Sequence, residues 1–116
     1  MPRFVILTHD FPFLHWDFML ERGKTLRTWR LLQSPDSAER ISAEPLPNHR
    51  RHYLDYEGPV SRGRGVVLCW DRGEYTVIEE CDSRVVVRLT GSRLIGQAVV
   101  ERHADGNTWD VQFLPE

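Results

Sequence analysis

The sequence predicts an all-β fold, a small antiparallel β-barrel of about six to eight strands with one short helix, and three observations lead there. Short apolar or alternating runs recur along the 116 residues. Turn-forming residues separate them, and the periodicity of a helix is nearly absent. In order, the strand-like runs are "RFVILT", "HWDFMLE", "TLRTWRLL", "GVVLCW", "EYTVIEE", "RVVVRLT", "LIGQAVVE" and "TWDVQF". The later ones are punctuated by "WDRGE", "ECDSR", "TGSR" and "HADGN", with Gly or Asp where tight backbone geometry is needed, which implies a meander. Closure of such a sheet removes its exposed edges. Gly96, inside "LIGQAVVE", marks either the bend that closure requires or a plain weak strand. The short helix is expected at "SPDSAER", where Ser34 can cap and Pro35 can take the first helical position. From Glu44 to Gly65 the chain reads as one long irregular segment. Its Tyr53 and Tyr56 need packing partners, so it is expected to fold over the barrel mouth.

The length fits a single domain, residues 1–116, built around one core. No apolar span of about 18 to 20 residues is present, which predicts a cytoplasmic protein with no membrane partner. A hairpin turning at residues 71–73 would set Cys69 opposite residue 75, so no disulfide to Cys81 is expected. The formal net charge of -2 argues against a protein that coats DNA through a broad basic field. Local charge differs: all but one of the 15 basic residues are arginine, and Arg40, Arg50, Arg51, Arg62, Arg64 and Arg72 fall in the middle third. Arginine's planar fork suits bidentate phosphate contacts, although arginine-rich usage also fits an ordinary solvated surface.

The densest chemistry lies in "HDFPFLHWDFMLE", residues 9–21. As a strand its second half alternates, so His15, Asp17, Met19 and Glu21 share one polar face while Trp16, Phe18 and Leu20 face the core. A loop at "DFP" can return His9 beside His15 and Asp17. Two imidazoles and a carboxylate suit Mn, Fe or Zn, and three protein ligands leave positions open for a substrate oxygen. The same residues also fit a satisfied histidine beside a surface acid. A second cluster, "NHRRHYLDYEG", offers His49, Arg50, Arg51, His52 and Tyr53 to bind or protonate a phosphate ester, or forms a basic loop whose tyrosines pack inward. Chemistry alone does not choose between His49 and His52.

Together "HDFPFLHWDFMLE", "NHRRHYLDYEG", "CWDRG" and "LTGSRLIGQAVVER" resemble, in order, the 3′-phosphoesterase domain of bacterial DNA ligase D and its stand-alone relatives. The resemblance implies manganese, or zinc or another divalent metal, on His9, His15 and Asp17. It implies an active-site histidine at His49 and tyrosine at Tyr53, with Glu21 structural or behind the ligands. Two positions depart from the family pattern. Met19 stands where the family has a phosphate-gripping arginine, and Gln33 where it has a lysine; Arg30, Arg50 or Arg51 are the candidates to take over phosphate binding. The implied activity is metal-dependent removal of a terminal ribonucleotide or 3′-phosphate from DNA or RNA 3′ ends in DNA repair, with a separate DNA ligase or polymerase as partner. The alternative is a 3′-end binding module of the same fold with weakened or lost catalysis.

Overall fold

The computed structural model describes residues 1–116 as nine antiparallel strands. They are β1 (Arg3–His9), β2 (His15–Arg22), β3 (Thr25–Leu31), β4 (Ile41–Arg50), β5 (Gly58–Pro59), β6 (Val66–Cys81), β7 (Arg84–Gly91), β8 (Ile95–Arg102) and β9 (Trp109–Pro115). The order across the sheet is β1-β2-β3-β4-β9-β8-β7-β6-β5, and a further pairing of β1 with β6 closes it in a ring. The closed all-β architecture read from the sequence is therefore present, with nine strands rather than six to eight.

β1 lies between β2 and β6 and reads as a continuous apolar run because both of its faces are covered. Phe4 and Ile6 enter the main core with Phe18, Leu20, Trp29 and alternate residues of β7, β8 and β9. Val5 and Leu7 enter a second, smaller cluster with Met19, Leu26, Leu54 and Val67. The expectation of one core face and one polar face on β2 is corrected by this second cluster. Met19 is 1% exposed, and His15 and Asp17 are 0% and 2%.

The segment expected to be irregular supplies that cover. Residues 41–50 pair with β3 as β4, and Arg51–Leu54 follow as a short 3-10 turn that seats Leu54 in the second cluster. Beyond Ala43, β4 is partnered on one side only, where the prolines at 45 and 47 are tolerated. "SPDSAER" forms turns instead of a helix: Ser37 Oγ accepts the Glu39 N–H, a local bond that competes with helical pairing. "GVVLCW" and "EYTVIEE" belong to one strand, β6, so no hairpin turns at residues 71–73, and Cys69 and Cys81 are free.

The reason "WDRG" makes no turn of its own is that Asp71 serves a distant one. Its buried carboxylate accepts the N–H groups of Arg72, Ser92, Arg93 and Leu94, fixing the β7–β8 connection. A Cβ on Gly91 would lie 2.3 Å from Asp71 Oδ2, so this close approach needs glycine. Gly96 has φ +151, and its missing side chain admits the Leu114 carbonyl of β9. No helix is long and apolar enough to cross a membrane.

Candidate metal centre

His9 ends β1 and His15 begins β2, and the two are register partners across the hairpin. Asp17 follows on the same face of β2, so the three side chains converge with their ligand atoms within 4.8 Å of one another. Backbone carbonyls fix both imidazoles. His9 Nε2–H donates to the Arg64 carbonyl at 2.7 Å, and His15 Nδ1–H donates to the Phe13 carbonyl at 2.9 Å. His9 Nδ1 and His15 Nε2 are thereby left facing the Asp17 carboxylate, at 3.5 and 3.2 Å. His15 Nε2 and Asp17 Oδ1 are buried and lack the alignment of a hydrogen bond, to each other or to any other group.

Two buried lone-pair donors aimed at one point are unfavourable unless positive charge sits between them. A divalent ion about 2.1 Å from each ligand sets neighbouring ligand atoms roughly 3 to 3.5 Å apart, the distance at which each imidazole stands from the Asp17 carboxylate. Burial pushes the Asp17 carboxyl up, but the contacts of His15 and His9 outweigh it and hold the group at about 2. The His9 imidazole is raised by Asp17, against burial and with help from the Arg64 carbonyl. The carbonyl partners also aim the rings, as outer groups do around metal-bound histidines.

The triad opens into a cavity of about 570 Å³. Asp17 is the one acid among its lining residues, against Arg30, Arg50, Arg64 and the histidines 9, 15 and 49, so the cavity suits an anion. Arg30 is the β3 register partner of Asp17. His49, on β4, donates from Nδ1 to the Pro47 carbonyl at 2.9 Å, which leaves Nε2 for a substrate. Tyr53 packs edge-on to His49, with ring centroids 5.9 Å apart.

A sequence model of the DNA Ligase D 3′-phosphoesterase domain matches residues 7–102. The chain belongs to that family. Similar relatives of this phosphoesterase-domain chain are multifunctional non-homologous end joining proteins. The LigD protein of Pseudomonas aeruginosa is 35% identical over 83 residues, covering 67% of this chain and 10% of the relative. The LigD protein of Mycobacterium bovis is 31% identical over 115 residues, covering 91% and 15%. The Mycolicibacterium smegmatis protein is 28% identical over 123 residues, covering 92% and 16%. The chain thus spans less than a fifth of the length of these relatives.

Of the residues singled out in the sequence of this family member, His9, His15, Asp17, Arg30, His49, Arg50 and Tyr53 all line the cavity. Arg51 does not. Its Nη2 lies 2.6 Å from Glu21 Oε2, and Glu21 also accepts the Arg3 N–H, so this pair ties the 3-10 turn to β1 and β2 away from the triad. Met19 forms an apolar part of the cavity wall, while Gln33 is exposed outside it. His52 stacks on Tyr56, with centroids 4.8 Å apart, and also lies outside. Arg64 and Phe11 were not anticipated at the cavity. The signal for Arg64 was its place between glycines in "SRGRG": Gly65 has φ +78, and its bare α-carbon lets Asp10 and Phe11 pack against it.

Proposed function

We propose that this chain is a divalent-metal-dependent phosphoesterase, with manganese as the metal, that heals 3′ ends of DNA or RNA by removing a terminal ribonucleotide or 3′-phosphate. The carrying observation is the pair of buried ligand atoms, His15 Nε2 and Asp17 Oδ1, that face each other without a hydrogen bond in a cationic cavity. His9, His15 and Asp17 would hold the ion, which supplies Lewis-acid polarisation of a phosphoryl oxygen and a bound water. Arg30 and Arg50 neutralise the remaining phosphate charge and set its orientation. His49, already committed at Nδ1, offers Nε2 to the ester or leaving oxygen, and Tyr53 buttresses its ring. Family membership supports this reading, and the end-joining role named for the relatives supports DNA repair as its setting.

Met19 favours a second reading, a 3′-end binding module, because a buried thioether offers no donor where charge develops in the transition state. The test is incubation with manganese and a primer-template ending in one ribonucleotide or in a 3′-phosphate, with His9→Ala as control. Metal-dependent release that the variant lacks is the expected result. Tight binding of the phosphorylated end with no release would replace the catalytic reading with the binding one.

A further inference from the structure

Between the two histidines the chain turns three large apolar side chains outward, leaving Phe11 42%, Phe13 48% and Leu14 56% exposed. Looseness of the loop does not explain this. Asp10 Oδ1 accepts the Val66 N–H at 2.8 Å, the Phe13 carbonyl is held by His15, and a Cβ on Gly65 would lie 2.7 Å from Phe11 Cβ. Single exposed apolar residues are ordinary, but these fall within four successive positions, between two residues of the triad that opens into the cavity. Phe11 is part of the cavity lining. The Phe13 ring meets the edge of His15 at 5.6 Å and lies under the Arg30 guanidinium at 5.6 Å, so it sits one side chain away from a metal ligand and from a phosphate-binding cation.

An anion site with planar apolar rings at its rim matches a ligand that joins a phosphoester to a planar heterocycle, which is a nucleotide. We infer that Phe11 and Phe13 form a stacking platform for the base of the nucleotide that carries the scissile 3′ phosphoester. The inference rests on the function proposed above and adds how the end is recognised. A Phe ring offers no hydrogen-bond code, so the platform accepts any of the bases while rejecting phosphoesters that lack one. The two phenylalanines are positioning residues: they act through the base and touch no reacting atom.

The test uses the manganese-supplemented full chain and two single-stranded oligonucleotides of equal length. One ends in a nucleoside 3′-phosphate, the other in an abasic 3′-phosphate. Stacking predicts that Phe11→Ala with Phe13→Ala raises KM for the base-bearing end by roughly 5- to 150-fold at little change in kcat. Wild type on the abasic end falls to the level of the variant on either end, and Phe11→Tyr with Phe13→Tyr restores the preference. Equal KM for both ends in the wild type overturns the platform and leaves the phosphoesterase reading standing. If the wild type releases phosphate from neither end, the functional reading fails, and anisotropy titration of the same oligonucleotides decides the platform: tighter binding of the base-bearing end, abolished by the double alanine variant, supports it, and equal binding overturns it.

Discussion

Replacing Gly65 by alanine should damage the proposed metal site, which the residue never touches. The new Cβ would lie 2.3 Å from Asp10 Oδ1 and 2.7 Å from Phe11 Cβ, at a residue whose φ is +78. Holding a non-glycine residue in that region costs about 1 to 2 kcal/mol. Moving Asp10 aside loses its bond to the Val66 N–H, worth about 0.5 to 1.5 kcal/mol, and the crowded loop adds a similar amount. The sum is about 2 to 5 kcal/mol, or roughly 8 to 20 °C in Tm for a domain of this size. Because the neighbouring Arg64 carbonyl aims His9, manganese affinity should also fall by about 10- to 100-fold. Gly63→Ala is the matched control. Its φ is +67, but nothing lies within 4 Å of the added Cβ, so it carries only the backbone part and leaves metal affinity alone. Thermal unfolding and calorimetric manganese titration of both variants make the comparison. Wild-type affinity in Gly65→Ala, or equal losses in the two variants, would refute the role given to the Asp10–Gly65 clamp.

Asp71→Ala removes the acceptor of four backbone N–H groups and should cost about 3 to 5 kcal/mol in denaturant unfolding, whereas Asp71→Asn, which keeps the three bonds to Oδ1, should cost about 1 to 2. Arg30→Ala should lower phosphate release by roughly 100- to 1,000-fold. Arg51→Ala, paired with Glu21 outside the cavity, should leave release unchanged and cost at most about 1 kcal/mol of stability; equal kinetic losses in the two would contradict their placement. Met19→Arg supplies a donor beside Asp17 and Arg30 and should raise turnover by about tenfold or more at a stability cost of about 1 to 3 kcal/mol, read by initial rates and by melting; no gain in rate would show that the existing arginines already suffice.

The triad was legible because two of its members sit two residues apart on a strand and the third ends the preceding apolar run, so period-two alternation and one short loop suffice to place them. Turn chemistry likewise marked the β6–β7, β7–β8 and β8–β9 connections correctly. Burial on the triad's own face was not legible. Met19 reads as an outlier on a polar face until Leu54 and Val67, from distant parts of the chain, fold over it. β4 was hidden by prolines that normally argue against a strand, and these are accommodated where its second edge is free. "WDRG" carries a turn's composition, yet its aspartate caps a turn some twenty residues later, a relation that no local window contains. Arg51 and Arg50 are neighbours in sequence and look equivalent, but the 3-10 turn sends one to Glu21 and the other to the cavity wall.

Whether His9, His15 and Asp17 form a metal centre is decided by calorimetric titration of Mn(II) into the metal-stripped chain and into His15→Ala. His15 is fully buried, and its Nε2 makes no hydrogen bond within the protein itself. Saturable binding of one ion per chain is expected in the wild type and none in the variant, with both chains folded by circular dichroism. Binding of the same stoichiometry and affinity in His15→Ala would contradict the metal centre.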